Sequence, residues 1–211
     1  MRRDLSRKAV PLIDATAPRG RGPGRSGERR RGVATLWILL SVPGVVIMLV
    51  FVTDIANIWL ARIEATNALE ASALAAVKQW KDAGNTPANR TNSRRAAVAY
   101  AAANTVLGQP VMLGLNQNTT SGDVNDNASP QGNVVLGEIR RSGGQTIFDA
   151  SRSPTSSGNF AVRTQATVPV ASLWSDFSGY SFGPYSVSVE AIALFRSGDE
   201  PRLVRIDRFE P

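Results

Sequence analysis

The longest uninterrupted apolar pattern runs from Val33 to Thr53, 21 residues without a charge in which only Thr35, Ser41 and Thr53 are polar. As a helix this stretch would rise about 31 Å at about 1.5 Å per residue, close to the ~30 Å hydrocarbon thickness of a bilayer. Trp37 and Trp59 stand 22 residues apart, a spacing that suits indoles at the two membrane interfaces. Pro43-Gly44 would break a soluble helix. In a spanning helix the pair is tolerated, because neighbouring groups re-satisfy the carbonyl freed near Leu39. The alternative, a buried core helix, fits poorly because soluble cores rarely run this long uncharged. Val33, Trp37, Pro43, Thr53 and Trp59 are the candidate membrane-anchor residues.

Beyond the apolar run the pattern predicts a continuing helix from Asp54 to about Lys81, free of Gly and Pro and dense in Ala, Leu and Glu. Small residues recur at Ala61, Ala65, Ala68, Ser72 and Ala75 in steps of 4, 3, 4 and 3. That spacing lines one face for the close approach of another helix, a helix-packing face. Alanine's helix propensity alone explains the residues equally well. Gly84 to Ser93 reads as a turn-rich break, followed by a second helix from roughly Arg94 to Leu107 that ends at Gly108 and Pro110. Asn116 to Asn133 is a polar loop. Strand character then appears at Val134–Ile139, Thr146–Phe148, Phe160–Val170 and Tyr185–Phe195, the last alternating Val187, Val189, Ala191 and Ala193 with Ser186, Ser188, Glu190 and Ile192. Pro169 marks the end or edge of its strand, and Gly143-Gly144 reads as a hairpin turn.

The expected architecture is therefore α+β: an N-terminal transmembrane helix continuing into a long Ala-rich helix, then a small antiparallel β-rich extracytoplasmic domain. Its segments are a disordered basic cytoplasmic leader at 1–32, the transmembrane helix at 33–53, an extracytoplasmic helical region at 54–110, the β-rich domain at 111–196, and a charged tail at 197–211 that is expected to fray.

Composition narrows the chemistry. The 211 residues include no Cys and no His, which removes disulfides, thiolate or imidazole metal sites, Cys nucleophiles and His-based triads. The net charge of +7 resides wholly in residues 1–32, which hold ten basic and three acidic residues; the remainder is neutral. A uniformly basic nucleic-acid surface is thereby excluded. The basic flank orients the anchor with its N-terminus in the cytoplasm and everything after it outside. The leader reads as a topology signal, with anionic-lipid or nucleic-acid contact as the alternative. A cleaved signal peptide is disfavoured, because the apolar run exceeds the usual h-region and no small-x-small site follows it.

Asp123-x-Asn125-x-Asn127-x-Ser129 places oxygens at alternate positions as a calcium loop would, but Ala128 and Val134 replace the required Gly and Glu, and any surface turn uses the same residues. Asp54 lies just past the apolar run, where an acid is tolerated without a functional role, although it could bond to a partner helix. No carboxylate pair shares an apolar, pocket-like segment. No cofactor, metal or small-molecule substrate is expected, and no catalytic residue.

Arg30-Arg31-Gly32, the proline-containing apolar run, Asp54-x-x-Asn57-x-Trp59-x-x-Arg62 and Asn67-Ala68-x-x-Ala71-Ser72-Ala73-Leu74-Ala75-Ala76 together resemble the N-terminal module of the TadE/TadG-like membrane proteins of tight-adherence (Flp) pilus assembly. The resemblance covers about residues 29–80 well. It extends loosely to Asp123-Val124, Phe148, Asn159-Phe160-Ala161-Val162-Arg163 and the closing Val-x-Val-x-Ala strand. TadE-like members resemble prepilins, with a glutamate five residues after a cleavage glycine. Here Gly32 is followed by Trp37 at that place, which favours the unprocessed, TadG-like side. Asn57 stands where the family usually has glycine. The resemblance implies a single-pass protein of the bacterial cytoplasmic membrane acting as a structural component of a pilus or secretion machine. Its partners would be the lipid bilayer and other membrane helices. A membrane-tethered module binding an unknown extracytoplasmic ligand is the alternative.

Overall fold

The computed structural model describes residues 28–211 except Thr119, Ser121, Gly122, Ser156, Ser157, Ser181, Phe182 and Ser197. The leader expected over 1–32 lies, up to residue 27, outside the described residues. The chain divides into two compact units, Met1–Val46 and Ile47–Pro211.

Helix α1, Glu28–Ala83, runs 56 residues without interruption and carries Pro43 inside it. In the first unit its residues 32–46 are all exposed. In the second unit α1 acquires a buried face. It ends where Gly84 takes a left-handed φ of 86° and its N–H bonds back to the Trp80 carbonyl at 3.0 Å, a terminus that glycine adopts without a Cβ penalty.

Helix α2, Pro87–Ala103, begins two turns before the expected Arg94. The reason is local. Thr86 is an N-cap whose side chain accepts the Asn89 N–H at 3.3 Å, and Pro87 fills the first helical position, where its missing N–H costs nothing. The expected break from Gly84 to Ser93 therefore shrinks to three residues. The helix also stops four residues before the expected Leu107. Strands β1, Thr105–Val106, and β2, Gln109–Pro110, form a small antiparallel hairpin there, turning at Leu107 and Gly108.

The main sheet contains β3 (Val134–Ser142), β4 (Gln145–Asp149), β5 (Phe160–Val170), β6 (Tyr185–Phe195), β7 (Arg202–Leu203) and β8 (Arg208–Glu210), in the order β7-β6-β5-β3-β4-β8. All neighbours are antiparallel except β4 and β8, which run parallel. The α+β class is as expected. Gly143 and Gly144, at φ 59° and 81°, make the two-residue turn that pairs Ser142 with Gln145. Pro169 lies beyond the last β3–β5 pair, Val134↔Thr164, on a stretch of β5 bonded only to β6, so its missing donor breaks no ladder.

Alternation along the strands separates two cores. Val134, Leu136, Phe160, Val162, Val187 and Ala193 face a cluster shared with α1 and α2. Val135, Ile139, Phe148, Ala161, Ile192 and Leu194 form a second cluster on the opposite face. That opposite face is covered by the C-terminal segment. The tail expected to fray crosses from β7 at one edge to β8 at the other and packs Val204, Ile206 and Phe209 onto the sheet. Phe209 stacks on Phe148 at 5.7 Å, and the Arg163 guanidinium lies 4.7 Å over the Phe209 ring. Asp207 exchanges two bonds with Thr146, and Arg140 pairs with both Asp149 and Glu210. Between the charged residues, every second or third side chain of the tail is apolar, and this is what holds it down.

Helix α3, Leu173–Ser178, sits in the β5–β6 connection and is a single short turn-and-a-half that the sequence pattern does not predict.

Candidate functional site

Of the residues expected to form a membrane anchor, Val33, Trp37, Thr53 and Trp59 are exposed, and Pro43 is exposed within the helix. The candidate membrane-crossing stretch lies within Gly32–Ala83, and its most apolar window has no residue buried inside the protein. A soluble core helix would bury that window, so the helix presents an apolar surface with no protein cover in this chain.

The predicted helix-packing face has the opposite fate. Ala61, Ala65, Ala68 and Ser72 are 0% exposed and Ala75 is half-buried. A helix does cover this face, and it is the chain's own α2. Ser72 Oγ donates to the Ala97 carbonyl at 2.8 Å, and Ser93 Oγ returns a bond to the Ala76 carbonyl at 2.8 Å. The sheet closes the same face, with Thr164 Oγ1 donating to the Leu69 carbonyl at 2.9 Å. Small side chains let the backbones approach closely enough for these hydroxyl bonds. The expectation of an external partner helix on these residues is corrected accordingly, because the face is filled from within.

Asp54 is the polar residue whose role the sequence leaves open. It is buried, at 4% exposure, among exposed apolar neighbours. Its carboxylate accepts from Ser172 Oγ at 2.7 Å, from the Leu173 N–H at 2.7 Å and from the Trp174 N–H at 3.3 Å. Ser172, the N-cap residue of α3, makes no side-chain cap bond of its own. Asp54 therefore satisfies the first amides of α3 from another element, a charged acceptor at the positive end of the helix. One turn earlier Phe51 stacks on the Trp174 ring at 4.9 Å and 19°. Together these contacts clasp the β5–β6 connection to α1.

The Asn-rich loop considered for calcium is organised around a guanidinium. Arg94, wholly buried on α2, donates through Nη2 to the Asn125 carbonyl at 2.8 Å and to Asn127 Oδ1 at 2.7 Å, and through Nε to the Asn116 carbonyl at 3.4 Å. Asn127 Oδ1 also accepts the Leu136 N–H at 3.0 Å, and Asp123 Oδ1 accepts the Asn125 N–H at 3.0 Å. Of the side-chain oxygens in the candidate calcium pattern, Asn127 Oδ1 is thus committed to Arg94 and Asp123 Oδ1 to the loop's own backbone. Burial lowers the Arg94 pKa to about 10, so the group still carries its charge at neutral pH. One turn back, Arg90 pairs with Asp126 at 2.9 Å and donates to Asn85 Oδ1 at 3.2 Å, while Asn85 Nδ2 reaches Ser153 and the Pro154 carbonyl. The sequence signal for this network is Arg90 and Arg94 at i,i+4 on a short helix, facing a loop rich in amide side chains.

An open cleft of about 460 Å³ lies between the β1–β2 hairpin and the end of β5, lined among others by Leu107, Met112, Val168 and Pro169. Its lining is mostly apolar and offers no titratable side chain.

Residues 32–79 match the model of a family described as putative Flp pilus-assembly TadE/G-like. The matched span begins at the start of the apolar run and ends one residue before Trp80, so it covers the exposed apolar helix, Asp54 and the whole small-residue face. No curated protein and no solved structure matches the chain.

Proposed function

We propose that the chain is a non-enzymatic, single-pass component of a tight-adherence (Flp-type) pilus or a related secretion machine. It sits in the bacterial cytoplasmic membrane, with residues 1–32 in the cytoplasm and the sheet domain outside. The observation that carries this reading is the coincidence of the family match at 32–79 with a helix whose apolar window lies bare. Val33, Trp37, Pro43, Thr53 and Trp59 form the anchor, and the basic leader supports the orientation. The partners are the bilayer and other membrane proteins of the machine. With Ala61, Ala65, Ala68 and Ser72 buried within the domain's own core, those partners meet its remaining surface.

The test is carbonate extraction of membranes combined with protease added outside intact spheroplasts. The chain is expected to stay in the membrane pellet and to lose its carboxyl-terminal domain to the protease. Release into the carbonate supernatant, or a protected domain, overturns the reading. A second reading, a tethered module that binds an apolar extracytoplasmic ligand, is favoured by the cleft beside Met112. It predicts saturable binding that Met112→Lys abolishes while the chain stays folded.

A further inference from the structure

We propose that the second unit seats itself in the headgroup and upper acyl layer of the extracytoplasmic leaflet, through the α1 strip from Ile55 to Ile63 and through α3 with Tyr180. This rests on the membrane reading above and carries it past Thr53.

The exposed residues of α1 set the boundary. From Ile47 to Ile63 every exposed position is apolar except Thr53 and Arg62, with Ile55, Trp59, Leu60 and Ile63 all largely bare. After Ile63 the exposed positions of α1 are Asn67, Lys78, Gln79, Asp82 and Ala83. The change from lipid-like to water-like surface thus falls near Ile63 and not at Thr53. Asp54 makes the sequence read as if the membrane ended there, but its carboxylate is turned inward and satisfied, so it does not mark the edge. Thr53 likewise spends its hydroxyl on the Leu49 carbonyl at 2.8 Å. Arg62 has a stem long enough to carry its charge up to the phosphates.

Lengths agree with that placement. Tryptophan favours the interface, and Ile63 lies about 6 Å beyond Trp59 at about 1.5 Å per residue. A bilayer about 40–45 Å thick with headgroups and ~30 Å without them leaves roughly 5–7 Å of headgroup on each side. The strip ends where the headgroups end. Phe51, on which Trp174 stacks, lies about 12 Å below Trp59 along the axis, somewhat deeper than the ~5–10 Å at which interfacial helices rest and still within the ~15 Å acyl half of one leaflet.

At that depth no water completes the first amides of a helix, and an unpaired carboxylate is costly. The Asp54 clasp meets both demands at once: the acid takes the Leu173 and Trp174 N–H groups, and they take its charge. Leu173 and Tyr180 remain exposed on either side of α3, an apolar and an amphipathic side chain suited to the acyl boundary. The occupant is lipid and not a protein, because strip and wedge continue the apolar surface that begins lower on the same helix and carry an interfacial aromatic each.

The chain has no cysteine, so single nitroxide labels report cleanly. The full chain is reconstituted in phosphatidylglycerol–phosphatidylethanolamine vesicles with labels at Leu40→Cys, Ile55→Cys, Ile63→Cys, Tyr180→Cys or Lys78→Cys, all exposed positions whose replacement leaves the core intact. Collisions with oxygen are expected to exceed those with aqueous nickel chelate at residues 40, 55, 63 and 180, and the order to reverse at 78. If residue 40 reads as lipid while 63 and 180 read like 78, the seating is wrong and the anchor stands. Labels at 63 and 180 shielded from both quenchers signify a protein cover and also overturn the seating. An aqueous reading at residue 40 overturns the anchor itself.

Discussion

At the scale of the residue, two buried charges hold elements that sequence places far apart. Asp54 collects three donors from residues 172–174, and its loss would leave two helix-initial amides unpaired. Asp54→Ala is expected to destabilise the domain by about 1–3 kcal/mol. Asp54→Asn, which keeps an acceptor, should lose less; equal losses in thermal unfolding would argue that packing of Phe51 on Trp174 carries the clasp. Arg94 is the second case. Burial lowers its pKa to about 10, well below the ordinary guanidinium value. The folded state therefore gives up this proton before the unfolded chain does, and the contribution of Arg94 to stability rises as pH climbs above about 10. At neutral pH the charged guanidinium is a desolvation cost offset by its three acceptors. Arg94→Ala leaves Asn127 Oδ1 and two carbonyls short of a donor and is expected to cost about 1.5–3 kcal/mol in denaturant unfolding.

Among the elements, the small-residue face shows what a pattern can and cannot tell. Spacing identified Ala61, Ala65, Ala68 and Ser72 as a surface for close helix approach, yet nothing in spacing says which helix approaches. The answer depended on α2, whose N-terminus was hidden by Thr, Asn and Pro residues that also favour turns. Ala68→Leu is accordingly expected to overpack the α1–α2 core and lower stability by about 1–3 kcal/mol, measured on the isolated full chain with no partner present. Strands β3 to β6 were legible from runs of β-branched and aromatic residues bounded by turn residues, and β6 also from its period-two alternation. Helix α3 was not, because its six residues span fewer than two turns and hold too little pattern to show a helical period. Asp54 was visible as an acid at a boundary, but its partner lies in a connection that only the folded sheet brings back to α1. Local pattern finds surfaces; tertiary return finds their occupants.

Taken whole, the domain is a three-layer arrangement in which helices cover one face of the sheet and the C-terminal strap covers the other. The strap is the layer most open to perturbation, because β7 and β8 contribute only a few ladder bonds and Val204, Ile206 and Phe209 supply the rest. Phe209→Ala is expected to cost about 2 kcal/mol, less than the ~3–5 of a fully buried ring because Phe209 is half-buried. It should raise hydrogen exchange in β4 before it does so in β5, and uniform loss of protection would show that the strap does not open by itself. The clasp also sets an order on biogenesis. Asp54 and Ser172 lie 118 residues apart, so during synthesis helix α1 is complete before the polypeptide that will cover its carboxylate has been made. Until then that acid has only water as a partner, and nascent chains arrested short of Ser172 should let a water-soluble carbodiimide modify Asp54, whereas released chains should resist it.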